Sequence, residues 1–236
     1  MQTSFLTVLL ATGFTFLMTV AGSSIVFFFS KEIPDKLQQA FLGFAAGVMI
    51  AASIWSLLIP SMEQADALGK SGILVTSVGF LAGALTLLFL QNLLSTKISY
   101  HKLFLLFLAI TLHNIPEGMA VSLAWPLAFG IGIQNFPEGA AIALPLRKSG
   151  LSRTKSFLIG SATGIVEPLF GFLVFLLSNR VQTSMPWLLS FSAGAMIYVV
   201  VEELIPEAKE GIPSRLGTLG CIFGFLLMMI FDVTLG

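Results

Sequence analysis

Long apolar runs make up most of this chain, and short clusters of charged residues, proline and glycine separate them. The runs are close to the roughly 20 residues that a helix needs to cross the hydrocarbon core of a bilayer. The pattern therefore predicts an all-α integral membrane protein in which residues 1–236 form a single transmembrane domain. Eight transmembrane helices are predicted, at about residues 5–29, 38–60, 72–94, 103–125, 127–146, 156–178, 186–205 and 216–235.

Composition supports this interpretation. Hydrophobic residues make up 56% of the chain, charged residues make up 10%, and the mean hydropathy is +0.95, which is outside the usual range of soluble domains. The formal net charge is zero and no basic tract occurs, which argues against a nucleic-acid partner. The single cysteine, Cys221, lies in an apolar run and cannot by itself supply a disulfide framework or a thiolate metal site.

The positions of lysine and arginine predict the orientation in the membrane. Ten of these twelve residues lie in loops that follow odd-numbered spans, and only Lys70 and Arg180 lie in loops that follow even-numbered spans. Loops on the cytoplasmic side are enriched in lysine and arginine. We therefore expect the odd-numbered loops in the cytoplasm and both termini outside it, in a multi-pass protein of the cell (inner) membrane.

A weak internal repeat relates the second and seventh spans. Residues 44–50 read Phe-Ala-Ala-Gly-Val-Met-Ile and residues 191–197 read Phe-Ser-Ala-Gly-Ala-Met-Ile, and each stretch is followed by Leu-Ile-Pro with a one-residue difference in spacing. Spans that are five apart have opposite orientations. The repeat predicts that spans 1–3 and 6–8 form an inverted pair around a central antiparallel pair, spans 4 and 5, an organisation typical of transporters.

Two copies of a polar motif interrupt the fourth and fifth spans. Residues 113–118 read His-Asn-Ile-Pro-Glu-Gly, and residues 134–139 read Gln-Asn-Phe-Pro-Glu-Gly. An ionised carboxylate at the centre of a membrane helix costs at least about 2.5 kcal/mol, so Glu117 and Glu138 need partners. Spacings of three and four residues give each helix one polar stripe. The stripes are His113, Asn114 and Glu117 on the fourth span, and Gln134, Asn135 and Glu138 on the fifth.

These stripes offer nitrogen and oxygen donors that suit a borderline or hard divalent metal ion. Pro116 and Pro137 cannot donate a backbone hydrogen bond, so each leaves a carbonyl oxygen free beside its stripe. A third carboxylate, Glu167, stands next to Pro168 in the sixth span and is expected to complete the cluster. The alternative is that the stripes form hydrogen bonds between helices and hold no ion.

Further polar residues mark a candidate transport pathway. Met49, Ser53 and Ser56 lie along the second span, with Glu63 at its outer end, and small polar residues suit a wet lining. Serine also serves helix packing, and this alternative stays open. Glu202 and Glu203 lie near the cytoplasmic end of the seventh span, where they mark either an exit path or solvated helix-end charges.

With its paired Pro-Glu-Gly motifs the chain resembles the ZIP (Zrt/Irt-like protein) family of divalent metal transporters, and its short loops resemble the bacterial-type branch. The resemblance implies transport of divalent cations into the cytoplasm by alternating access around a midplane site, with zinc as the first candidate and iron, manganese or cadmium as others. It further implies two adjacent metal positions. The first would use His113, Glu117, Gln134 and Glu138, and the second would use Asn114, Glu117, Asn135, Glu138 and Glu167.

Two alternatives belong to other functional classes. A proton-coupled carrier of a small organic cation would need an aromatic cage, for which Phe136 is the one candidate near the stripes. An intramembrane zinc metalloenzyme usually has two or more histidines at its metal, whereas only His113 lies within a predicted span. We therefore predict a transporter and not an enzyme, with divalent metal ions and the lipid bilayer as partners, no cofactor beyond the transported ion, and a homodimer as a candidate assembly.

Overall fold

The computed structural model describes residues 4–29, 34–94, 101–123, 127–181, 183–211 and 213–235. All regular structure in these residues is helical, and no strand occurs among them. Lys31, Lys97 and the turn at Trp125 and Pro126 lie outside the described residues. The described helices form eight segments: α1 (Phe5–Phe28), α2 (Asp35–Ala67), α3 (Gly72–Leu94), α4 (His101–Leu123), α5 (Leu127–Lys148), α6 (153–181, with a kink at Leu177), α7 (Met185–Glu207) and α8 (Leu216–Leu235).

Six of these segments are long and apolar enough to cross a membrane, namely α1, α2, α3, α6, α7 and α8. The helices α4 and α5, which carry the two polar motifs, are 23 and 22 residues long. The chain is therefore an all-helical, multi-pass membrane protein.

The helix α2 runs further than the sequence indicates, because it continues past Pro60 to Ala67. The reason is a π-helical turn at Ser53–Leu58, in which the backbone N–H of Ile59 donates to the carbonyl of Ile54. In a π-helical turn a backbone N–H donates to the carbonyl five residues earlier, so the pattern of backbone hydrogen bonds shifts just before Pro60. The missing N–H of the proline then does not end the helix. The helix therefore continues seven residues past the predicted end of the second span.

A second π-helical turn, Val200–Leu204, precedes Pro206 in α7. It occupies the place in α7 that Ser53–Leu58 occupies in α2. The two turns contain five and six residues, respectively. This difference accounts for the one-residue difference in spacing between the two sequence repeats.

The helices pack in six close pairs, α2 with α8, α3 with α7, α1 with α5, α4 with α6, α1 with α6 and α2 with α7, and glycines lie at the first four of these contacts. Glycines allow the close approach, because a Cβ atom at these positions would overlap the backbone of the partner helix. These glycines are Gly43, Gly47, Gly220 and Gly224 between α2 and α8, Gly83 and Gly194 between α3 and α7, Gly22 and Gly139 between α1 and α5, and Gly118 between α4 and α6.

We expect Gly118→Ala to destabilise the protein by about 1–3 kcal/mol, as overpacking of a tight interface typically does. A Cβ at residue 118 would overlap the backbone of Glu167 and push α6 away from α4. Gly13→Ala is the matched control, because a Cβ there meets no atom within 4 Å. Thermal unfolding of the two variants in detergent measures the difference. Equal melting temperatures would show that α4 and α6 do not pack this closely.

Candidate metal centre

The helices α4 and α5 bring the two polar stripes face to face. Nε2 of His113 lies 3.0 Å from Oε1 of Glu117 on its own helix and 3.4 Å from Oε1 of Glu138 on α5. Nε2 of Gln134 is 3.5 Å from the same imidazole nitrogen. All four side chains are buried. Ligand atoms of His113, Glu117 and Glu138 lie within 4.8 Å of one another, a spacing that can hold one metal ion.

The remaining predicted ligands lie next to this group, on the side of α1 and α6. Nδ2 of Asn135 donates to Oε1 of Glu167 at 2.9 Å and to the carbonyl oxygen of Thr15 at 3.2 Å. Nδ2 of Asn114 donates to the carbonyl oxygen of Thr163 at 3.1 Å. The nitrogens of both amides are thus held by protein acceptors.

All seven side chains keep a polar atom available. Within the described part of the chain, each has at least one buried atom that makes no hydrogen bond to another protein atom. A buried polar atom without a partner costs about 1–3 kcal/mol, and a buried charged atom costs more. A bound cation would satisfy these atoms. The atoms are Nδ1 of His113, Oδ1 of Asn114 and Asn135, Oε1 of Gln134, both carboxylate oxygens of Glu117 and Glu138, and Oε2 of Glu167.

The prolines leave the helices continuous but release backbone oxygens near the cluster. Pro116 lies inside α4 and Pro137 lies inside α5, and neither can donate to the carbonyl one turn earlier. In α6 the helix tightens into a 3₁₀ turn at Thr163–Ile165, which ends two residues before Glu167. The carbonyl of Thr163 in this turn accepts the hydrogen bond that orients Asn114.

The sequence analysis missed a polar stripe on α1, formed by Thr12, Thr15, Thr19 and Ser23. All four are buried. The hydroxyl of Thr19 donates to Oε1 of Glu167 at 3.5 Å, and that of Ser23 donates to the carbonyl of Gly139 at 3.2 Å. Their spacing of three, four and four residues was the available signal, because it places them on one helical face.

The predicted outer pathway lies along α2. Met49 and Ser53 are buried, and the hydroxyl of Ser53 donates to the carbonyl of Met49 at 2.8 Å. The hydroxyl of Ser56 donates to Oδ1 of Asp232 on α8 at 2.9 Å. Asp232 is a second residue that sequence reasoning missed, since a carboxylate so close to the end of a span looks solvated. Glu63 is exposed near the end of α2.

The predicted exit residues lie near the C-terminal end of α7, where Glu202 is exposed and Glu203 is half-buried. Oε1 of Glu202 accepts a hydrogen bond from Nε2 of Gln91 at 3.3 Å, and the hydroxyl of Tyr198 donates to Oε1 of Gln91. Neither glutamate belongs to the cluster around His113.

Comparison with known proteins relates this arrangement to one family. The ZIP zinc transporter family matches residues 97–232, the part of the chain that contains both stripes. The zinc transporter ZIP11 of Xenopus tropicalis is 34% identical, with 97% of each chain covered. This chain belongs to the ZIP family. The zinc transporter GufA of Myxococcus xanthus is 36% identical over 88% of this chain and 91% of its own. The zinc transporter ZIPB of Bordetella bronchiseptica is 34% identical over 87% and 74%.

Membership of the ZIP family confirms the resemblance that the motifs indicated, and it identifies the chain as a transporter and not an enzyme. The structure also weakens the organic-cation alternative. Phe136, its one aromatic candidate, packs in an apolar cluster with Val26, Ala140 and Leu144. The ring therefore serves the packing of α1 against α5.

Proposed function

We propose that this ZIP chain carries divalent metal cations into the cytoplasm, with zinc as the first candidate and iron, manganese or cadmium as further substrates. The observation that carries the proposal is the buried group of one imidazole and two carboxylates, joined at 3.0 and 3.4 Å. Imidazole nitrogen and carboxylate oxygen are common zinc ligands, and two buried carboxylates inside a membrane need a positive partner. The relatives are named zinc transporters, which agrees with the proposal.

We further propose two adjacent metal positions that share Glu117 and Glu138. His113 and Gln134 complete the first position, where the imidazole already contacts both carboxylates. Asn114, Asn135 and Glu167 complete the second, and the fixed amide nitrogens support this assignment because they leave the amide oxygens available. Filling either position displaces protons from whichever ligands carry them, so metal uptake is linked to pH.

Residues 1–236 are proposed to form one domain of eight spans with an inverted repeat. The lengths of α4 and α5 support spans four and five, since each helix can cross the hydrocarbon core. The helix pairs support the repeat. An inverted repeat relates α1 to α6, α2 to α7, α3 to α8 and α4 to α5. Under this relation the α2–α8 pair corresponds to the α7–α3 pair, and the α1–α5 pair corresponds to the α6–α4 pair. The matching π-helical turns in α2 and α7 support it as well.

Alternating access is proposed to move α1, α4, α5 and α6 as one group against α2, α3, α7 and α8 as the other. Each described glycine that allows close contact between the backbones of two helices joins two helices of the same group. The contacts of α4 with α7 and of α2 with α5 join the groups and are less extensive than the close pairs. A group fixed by glycine contacts moves as a unit, and the looser interface is where sliding is easiest.

The orientation is tested by accessibility in intact cells. Tags at residues 1 and 236 should react with an impermeant reagent from outside, because lysine and arginine are concentrated in the odd-numbered loops. A Ser149→Cys variant in a Cys221→Ala background should react only after permeabilisation. Labelling of either terminus only after permeabilisation would contradict the eight-span arrangement.

Transport itself is tested with purified protein in liposomes. We expect time-dependent accumulation of Zn²⁺ in vesicles that contain the protein and none in protein-free vesicles. A small quaternary ammonium ion, the substrate of the alternative, should neither accumulate nor compete. Transport of the ammonium ion without Zn²⁺ would overturn the proposal.

A further inference from the structure

A second concave site lies away from the metal centre, where α4, α5 and α6 meet at the end that contains the α5–α6 connection. It is an open groove of about 600 Å³, within the range of volumes that hold small ligands. Its walls are entirely apolar and include Leu103, Phe107, Leu146, Leu151, Leu158 and Ala162. The exposed fractions of Phe104, which is 40%, and of Leu158, which is 57%, show that it opens sideways, toward the position of the bilayer.

The depth of the groove matches one leaflet of a membrane. It follows α6 from Leu151, just before the helix begins, down to Ala162. That distance is roughly 15 Å at 1.5 Å per residue. The hydrocarbon core of a bilayer is about 30 Å thick, so the groove runs from the water interface to about the midplane.

Cationic side chains stand at the mouth of this apolar groove. Lys155 is exposed and lies on the same face of α6 as Leu158, Ile159 and Ala162, at spacings of three, four and seven residues. Nη1 of Arg147 donates to the carbonyl oxygen of the lining residue Leu151 at 3.0 Å. Both cations are thus placed at the interface end of the groove.

The electrostatic environment of the mouth favours an anion. Nε of Arg147 is buried and makes no hydrogen bond to the described residues. The first turn of α6 contains Arg153 and Lys155 and no acidic residue, so their charges add to the positive end of the helix dipole. The neighbouring Lys148 differs, because it pairs with Asp35 at 3.5 Å.

We propose that the groove binds one anionic phospholipid, with its phosphate at Arg147 and Lys155 and an acyl chain against the apolar wall. The apolar groove is one leaflet deep and matches the acyl chain of such a lipid, and the two cations at its mouth match the anionic headgroup. The walls are built from the three helices that carry all seven proposed metal ligands. The bound lipid therefore holds α4, α5 and α6 at a fixed spacing and stabilises the metal centre indirectly.

The test uses the purified full-length protein and native mass spectrometry with phosphatidylglycerol or phosphatidylcholine added at equal mole fraction. We expect phosphatidylglycerol to bind selectively and to raise the melting temperature. Lys155→Gln and Arg147→Gln should each weaken its binding about fivefold, the effect of roughly one interfacial charge. Arg215→Gln, an exposed cation that does not line the groove, is the charge-matched control.

A second pair of variants tests the apolar wall. Ala162→Trp should block the groove and abolish the selective binding, whereas Leu169→Trp on the same helix, outside the groove and 62% exposed, should leave it unchanged. Equal binding and stabilisation by the two lipids would overturn the proposal. So would selective binding that survives both Lys155→Gln and Ala162→Trp. Loss of a dimer in Ala162→Trp without any change in lipid binding would instead identify the groove as a contact between two copies of the chain.

Discussion

Glu117→Ala and Glu138→Ala should each reduce Zn²⁺ uptake into proteoliposomes to the level of protein-free vesicles. Both carboxylates are buried, both lie against the imidazole of His113, and each is proposed to serve both metal positions. Removing one carboxylate takes a ligand from both proposed positions at once, and it leaves the first position with a single negative charge to balance a divalent cation. No other single substitution at the centre is expected to have so large an effect.

Matched variants separate this effect from a general loss of fold. Glu210→Ala removes an exposed carboxylate outside the centre and should transport at the wild-type rate. Asn114→Ala and Glu167→Ala should be milder than the two central changes, because each residue contributes to one proposed position only. Wild-type uptake by both Glu117→Ala and Glu138→Ala, at equal protein in the vesicles, would show that the stripes only hold the helices together.

Gln134→His should raise the preference for Zn²⁺ over Mn²⁺, the second large effect that we expect. Nε2 of Gln134 is 3.5 Å from Nε2 of His113, so a histidine here places a second imidazole beside the first. Imidazole favours zinc over the harder manganese ion more than an amide oxygen does. Because a histidine titrates near neutrality and its neutral form binds metal, Zn²⁺ uptake by the variant should also decline more steeply below about pH 7.

Competitive uptake of the two ions between pH 5.5 and 8 measures this change. The matched control is Gln64→His, which introduces the same side chain at an exposed position of α2 and should leave the Zn²⁺/Mn²⁺ ratio unchanged. An unchanged ratio in Gln134→His across the pH range would show that residue 134 does not coordinate the transported ion.

The clustering of the two polar stripes could be predicted from the sequence because its geometry is largely local. Helical spacing alone places His113, Asn114 and Glu117 on one face, and the short connection between α4 and α5 matches the depths of the two stripes. The contact of His113 with Glu138, at 3.4 Å, follows from that match. Glu167 could be placed in the same cluster from the sequence because a carboxylate in an apolar run needs polar partners.

The parts that were missed depend on contacts between distant helices. Thr15 and Thr19 read as ordinary members of an apolar run, and their roles appear only when α1 packs against α5 and α6. Asp232 reads as a helix-end charge until α8 brings it to Ser56. The π-helical turns before Pro60 and Pro206 were missed because a proline in a sequence ordinarily indicates that a helix ends nearby.

X-ray absorption at the zinc K-edge of the purified, zinc-loaded protein tests the central claim most directly. We expect a first shell of nitrogen and oxygen at about 2.0–2.2 Å with one imidazole and no sulfur. The imidazole signal should disappear in His113→Ala and persist in His101→Ala, which removes the other histidine of the chain. Sulfur scattering at about 2.3 Å, or an imidazole signal that survives His113→Ala, would contradict a metal site between α4 and α5.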